Sequence, residues 1–180
     1  QRSLTAAIDA IELDAAAAQQ AYDNVAASPW TNRIKVINGD ARSHQTAAPY
    51  DLIICNPPFF TNSLLGPKED RNLARHSLSL SLQELFNVIS SNLTDTGYAS
   101  ILLPVSEHNK WQKLLEDNGW KVYHQLSIQP KPGAPTNRVI SLCTAQTCMP
   151  FLSEDLLIRD KANNYTPEFI DLMHPFYLAL

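Results

Sequence analysis

The run Tyr50-Asp51-Leu52-Ile53-Ile54-Cys55, followed by Asn56-Pro57-Pro58-Phe59-Phe60, constrains the fold more than any other stretch. Its first half is short, apolar and rich in β-formers, which predicts a buried strand. Its second half ends that strand abruptly. Consecutive prolines fix φ, remove two backbone N–H groups and push Asn56 toward an extended conformation. The result is a rigid tip that gathers an amide side chain, two free carbonyls and an aromatic ring. A structural Pro-Pro loop over a core Phe is the plainer account of such a pair. The whole Asn-Pro-Pro-aromatic string, directly after a strand, favours a site that holds a planar, amine-bearing group.

The rest of the chain supplies a frame for that tip. Thr5 to Leu13 reads as a strand ending in Glu12, and Asp14 is placed to N-cap an Ala-rich helix to about Ala27, closed by Ser28-Pro29. Arg33 to Asn38 reads as a second strand, ended by Gly39-Asp40, and a polar connection from Ala41 to Pro49 leads to the strand before Asn56. Alternating strand, helix, strand, loop and strand predicts a parallel α/β sheet. Glu12, Asp40 and Asn56 each follow an apolar stretch, so they are expected to converge at the carboxyl edge, where open α/β sheets bind ligands.

Downstream, Thr61 to Ser79 is polar, with Gly66-Pro67 and a charged run, and reads as an active-site loop. Ser81 and Glu84 have capping-box spacing, and a helix follows through Leu82, Leu85, Phe86, Ile89 and Leu93. Gly97 is expected to open a strand from Tyr98 to Leu103, stopped at Pro104. A helix from about Ser106 to Asn118 ends at Gly119. Trp120 to Gln129 and Arg138 to Thr144 alternate as strands, joined by the stiff turn from Pro130 to Pro135 into an antiparallel hairpin. Thr166 and Pro167 mark the N-cap and first position of an apolar C-terminal helix.

Composition narrows the partners. With 180 residues and 44% hydrophobic content, the chain can form one ordinary domain. The net charge of −4 and pI near 5.7 argue against holding nucleic acid by general phosphate neutralisation, so any RNA contact needs a local basic patch. Three cysteines without a CxxC pair suggest no disulfide framework and fit a reducing, cytoplasmic setting. Cys143 and Cys148 would face opposite sides of a continuous strand, with core packing the expected role. No run is long and apolar enough for a membrane span, and the histidines have no metal-ligand spacing.

Four stretches carry a family resemblance: Ala10-Ile11-Glu12-Leu13-Asp14, Gln20 to Trp30, Asp51 to Phe59, and Asn164 to Leu178. Together they resemble the bacterial tRNA1(Val) adenine-37 N6-methyltransferases, of the class I S-adenosylmethionine-dependent kind. The resemblance implies a Rossmann-like α/β sheet, ordered 3-2-1-4-5-7-6 with an antiparallel C-terminal hairpin, in a single domain over residues 1–180. It implies S-adenosylmethionine as cofactor, tRNA as substrate and a cytoplasmic location. Asn56, Pro57, Pro58 and Phe59 would be the catalytic motif. The Asn56 and Pro57 carbonyls would accept the N–H bonds of the reacting amine, and Phe59 would stack on the target ring. Glu12 and Leu13 would bind the cofactor's ribose region, and Asp40 and Ala41 its adenine. Lys68, Arg71 and Arg75, in the loop after the motif, would grip the RNA backbone.

Plainer readings stand beside these. Glu12 could be a solvated helix-entry carboxylate, Gly39-Asp40 a common turn, and the three loop cations a solvated face. The five glycines form no GxG, whereas the family holds the cofactor's methionine portion on a Gly-rich loop after its first strand. The chain is therefore expected to begin beyond that loop, with strands 2 and 3 lacking their bridge to strand 4 and cofactor binding weak. Methylation of guanine N2 or of a protein glutamine, and a non-catalytic methyltransferase-like binding module, remain the alternatives.

Overall fold

The computed structural model describes residues 5–57, 80–146 and 150–177. The chain divides into two compact units, Gln1–Ala47 and Ala48–Leu180.

The first unit is a βαβ element. Strand β1 (Ile8–Glu12) pairs in parallel with β2 (Ile34–Asn38), Ile8 opposite Ile34 and Glu12 opposite Asn38. Helix α1 (Ala15–Ala26) makes the crossover. It starts where expected because the Asp14 carboxylate accepts the Ala17 N–H at 2.8 Å, satisfying one of the donors that a helix start leaves unpaired. After β2 the chain makes one 3₁₀ turn over Ala41–Ser43, capped by Asp40.

The second unit holds five strands in the order β3-β4-β6-β5-β7: β3 (Tyr50–Cys55), β4 (Leu93–Pro104), β5 (Lys121–Gln129), β6 (Arg138–Thr144) and β7 (Leu152–Leu157). Strands β3 and β4 are parallel, β6 runs against both β4 and β5, and β7 is parallel to β5. So β3, β4, β5 and β7 end at one edge, where β6 begins. The expected hairpin is present, with Gly133 at φ 80° inside its turn.

Helices α2 (Leu82–Asn92) and α3 (Val105–Asp117) cover one face of this sheet. The capping box forms as the spacing predicts: the Glu84 N–H donates to Ser81 Oγ, and the Ser81 N–H donates to Glu84 Oε2 at 2.8 Å. Leu85, Phe86 and Ile89 of α2 meet Trp111 and Leu115 of α3 over Ala99, Ile101 and Leu103, alternate residues of β4. Phe86 meets both Trp111 and Trp120 edge to face, with centroids 6.3 and 5.5 Å apart. Helix α3 ends in a Schellman arrangement: the Gly119 N–H donates to the Glu116 carbonyl and the Trp120 N–H to that of Leu115. A short helix α4 (Pro167–Met173) starts at Thr166, whose Oγ1 accepts the Phe169 N–H.

One expectation needs correction, and one strand has no counterpart in the sequence reading. Strand β4 begins at Leu93, straight out of α2, and not at Tyr98; its pairing with β3 shifts register between Tyr50 and Leu52. Gly97 therefore lies inside the strand. A Cβ there would come within 2.7 Å of Leu93 Cγ, so the irregularity itself demands glycine. Strand β7, with Glu154 and Asp155 at its centre, lacks the apolar alternation that marks a strand in sequence. It is an edge strand, and charges are common on edges, where they discourage further pairing.

Candidate functional site

In the first unit, parallel pairing brings the ends of β1 and β2 to one edge, and with them Glu12 and Asp40. The edge is held by a compact set of hydrogen bonds. Asn38 Nδ2 donates to the main-chain carbonyls of Glu12 at 2.9 Å and Leu13 at 3.2 Å, and the Gly39 N–H donates to the Glu12 carbonyl. Glu12 Oε1 accepts the Asp14 N–H at 2.9 Å. That bond aims the half-buried carboxylate and leaves Oε2 without a donor among the described residues. An oriented carboxylate with an open oxygen suits a pair of vicinal hydroxyls.

Asp40 is more heavily engaged. Its Oδ1 accepts the Arg42 N–H and Nε, and its Oδ2 accepts Arg42 Nε at 2.9 Å and Nη2 at 2.6 Å. The Arg42 side chain, then its backbone N–H, holds the Asp40 carboxyl below its ordinary value. Arg42 already reaches both oxygens, with Nε shared between them. Accepting a further amine N–H at Asp40 requires the guanidinium to give up one of those bonds. Sequence reasoning passed over both Asn38 and Arg42. Their signals were a polar residue closing β2 and an Asp-x-Arg spacing across a tight turn.

In the second unit, β3 places Asn56 and Pro57 at the carboxyl edge of the five-stranded sheet. Ile53 and Cys55 pack against the core, while Leu52 and Ile54 are exposed, Ile54 by 74%. Pro57 is buried and Asn56 is exposed, so the motif's start is anchored while its amide is presented to solvent. No described residue hydrogen-bonds the Asn56 side chain. Burial pushes the Cys55 thiol up to about 11, so no thiolate stands beside Asn56 at neutral pH. The remaining sequence-predicted residues, Pro58, Phe59, Lys68, Arg71 and Arg75, lie outside the described residues.

Comparison with known proteins gives this geometry a setting. Residues 1–124 match the family model of the methyltransferase small domain. The chain is 39% identical over 173 residues to a tRNA1(Val) (adenine(37)-N6)-methyltransferase of Tolumonas auensis, covering 96% of this chain and 72% of that one. It is 35% identical over 181 residues to the protein of the same name from Bacteroides fragilis, covering 98% and 75%. Among solved structures it resembles a predicted O-methyltransferase from Agrobacterium tumefaciens, with TM-score 0.66, 15% identity, and coverage of 92% of this chain and 76% of the other. A glycopeptide N-methyltransferase solved with S-adenosylmethionine has TM-score 0.53 at 11% identity, covering 77% and 72%. These structural likenesses establish the methyltransferase fold; the sequence matches establish the narrower kinship. The chain belongs to the tRNA1(Val) (adenine(37)-N6)-methyltransferase family.

Proposed function

We propose that this protein transfers a methyl group from S-adenosylmethionine to the N6 amine of an adenine in tRNA, adenine 37 of tRNA1(Val) being the expected target. The observation that carries the proposal is identity of 35–39% over almost the whole chain to enzymes of that name, with Asn56-Pro57 fixed at the end of β3. The methyltransferase family model runs across the boundary between the two units, which supports residues 1–180 as one methyltransferase domain. Among the described residues no helix is long and apolar enough to cross a membrane, and a tRNA substrate implies work in the cytoplasm.

When bound, S-adenosylmethionine supplies an electrophilic methyl group. The residues of this chain then act by binding and orientation. Glu12 offers Oε2 to ribose hydroxyls, with Leu13 alongside. Asp40 and Ala41 meet the adenine end, where Arg42 sets how much of the carboxylate is free. The lone pair of an exocyclic adenine amine is delocalised into its ring, so the amine is a weak nucleophile. The Asn56 side-chain carbonyl and the Pro57 main-chain carbonyl accept its two N–H bonds and stabilise the positive charge that develops on nitrogen. No titrating base is needed for that step, and the surplus proton of the methylated amine leaves to solvent. Pro58 is assigned to stiffening the tip, and Phe59 to stacking on the base to fix its plane. Lys68, Arg71 and Arg75 are assigned to the RNA backbone.

The test is incubation of the full-length protein with bulk tRNA and methyl-labelled S-adenosylmethionine, followed by nucleoside analysis. Label in N6-methyladenosine is expected. Label confined to guanine N2 or to protein glutamine would replace the substrate while keeping the chemistry; no transfer to any acceptor would leave a binding module.

A further inference from the structure

We infer that the carboxyl edge of the five-stranded sheet continues beyond Asn56 as a phosphate-binding track for the RNA, carried by Lys131, Arg138, Arg159 and Lys161. The inference rests on the RNA-methylation reading above and adds to it a second binding surface, outside the loop that follows the Asn-Pro-Pro motif.

Strand polarity brings these residues to one edge. Strands β3, β4, β5 and β7 all end there and β6 starts there. Asn56 follows β3, Arg138 opens β6, Lys131 sits in the turn after β5, and Arg159 and Lys161 follow β7. The segments are tied together. The Ile158 N–H donates to the Gln129 carbonyl at 2.9 Å, and the Arg159 N–H to that of Pro130 at 3.2 Å. The hairpin turn is stiffened by Pro130, Pro132 and Pro135, so Lys131 rides on a rigid support.

The charge of the two connecting segments is one-sided, while the adjoining helix starts add Glu107, which pairs with Lys110, and Glu168. Residues 130–138 and 158–166 together carry these four cations against one carboxylate, Asp160, in a chain whose net charge is −4. Asp160 is occupied: its Oδ1 accepts the Asn164 N–H at 2.9 Å, and its Oδ2 lies 3.4 Å from Asn164 Nδ2. None of the four cations pairs with a carboxylate among the described residues, and Lys131, Arg138 and Lys161 are exposed. The opposite edge has the reverse character, with Asp51, Asp95 and Asp117 against Lys121. The acidic chain thus holds the local basic patch that RNA binding requires.

Arg159 is the most constrained member. Its guanidinium carbon lies 4.0 Å over the Tyr165 ring, and its Nη1 donates to the Asn163 carbonyl at 2.6 Å. Tyr165 in turn stacks on Phe169, with centroids 5.0 Å apart. A guanidinium held flat in this way keeps donors free at its rim and loses little entropy on meeting a phosphate. Geometry selects the partner. With strands about 4.8 Å apart, β3 and β7 are separated by about 19 Å across the edge. A single nucleotide at Asn56 cannot span that distance. An extended polyanion joined to the reacting base can.

The test uses the full-length protein, with direct tRNA binding in the absence of cofactor measured beside methyl transfer. The triple variant Lys131→Glu, Arg138→Glu, Lys161→Glu spares Arg159, whose side chain also packs. It is expected to raise KM for tRNA at least tenfold near ~100 mM salt, far more than it lowers kcat, and to leave KM for S-adenosylmethionine alone. The slope of log binding constant against log salt should flatten by about 2, since each single-strand phosphate that a cation ceases to neutralise removes about 0.7. Lys131→Gln, Arg138→Gln, Lys161→Gln should show the same trend in smaller measure, and decides the matter if the glutamate variant misfolds. Wild-type tRNA affinity and salt slope in a folded glutamine variant would overturn the track. Wild-type protein that binds tRNA through these cations but methylates no RNA would overturn the methylation reading alone.

Discussion

The two units hold their proposed site residues by different physics. In the first, Ala18 is the only buried hydrophobic residue among those described, and Glu12 and Asp40 are set by hydrogen bonds from Asp14, Asn38 and Arg42, one or two residues away or directly across a strand pair. In the second, the strand that leads to the exposed Asn56 is the edge of a sheet built on a deep core. Ile89, Ile101, Leu103, Trp111 and Leu115 are all fully buried, and they fix the sheet on whose edge the motif stands. The contrast teaches that the carboxylates proposed to read the cofactor are placed by local bonds. A carbonyl proposed to act on a reacting amine must stand where charge develops, and packing of the sheet sets the backbone that carries it.

The largest expected effect breaks the second unit's mode of support. Trp111 is fully buried, donates from Nε1 toward Cys143 Sγ at 3.3 Å and packs on Phe86. Trp111→Ala should cost about 3–5 kcal/mol of stability by leaving a cavity, read as a shifted urea midpoint. Comparable destabilisation from any single change at the Glu12 edge would erase the distinction between the units.

Next comes Asn56→Ala, which removes the proposed acceptor without touching its support. It should lower kcat on tRNA by a factor corresponding to about 3 kcal/mol, as loss of one preorganised polar group does, with cofactor affinity nearly unchanged and the circular dichroism spectrum intact. Near-wild-type turnover would make the motif structural and end the amine-methylation reading.

Glu12→Ala sharpens the other side. The full-length enzyme should bind S-adenosylmethionine less tightly by about 1.5–3 kcal/mol, the usual range for hydrogen bonds to a charged group, measured by calorimetry, while kcat at saturating cofactor falls much less. A loss in kcat as large as that of Asn56→Ala would show that the two residues do not divide the labour as proposed.

The smallest effect is a pH dependence in the second unit. His108 is buried on α3, its Nε2 lies 3.2 Å from Gln125 Oε1, and its Nδ1 has no partner among the described residues. Burial lowers its pKa from 6.5, with the Gln125 bond opposing. The unfolded chain therefore takes up a proton before the folded one does. The contribution is fully present above pH 6.5 and is lost as pH falls toward the depressed value. On acidification below that point the denaturation midpoint of wild type should fall relative to that of His108→Leu; parallel curves would remove His108 as the cause.

The sequence by itself determined whatever depends on near neighbours along the chain. The Asp14 cap, the Ser81–Glu84 capping box, the Gly119 stop and the Thr166–Pro167 helix start all form as their spacing predicts, because each is a bond between a side chain or backbone group and one a few residues away. The end of β3 at Cys55, just before Asn56-Pro57, belongs to the same class, since proline restricts its own φ and its predecessor whatever surrounds it. Tertiary structure alone decided the rest. β4 runs back to Leu93 because β3 offers it ladder partners and Gly97 leaves room for the Leu93 side chain, an accommodation invisible to local pattern. β7, with two acids at its centre, is a strand because β5 presents an open edge. The gathering of Lys131, Arg138, Arg159 and Lys161 depends on strand polarity, which is settled by pairing between segments far apart in the chain.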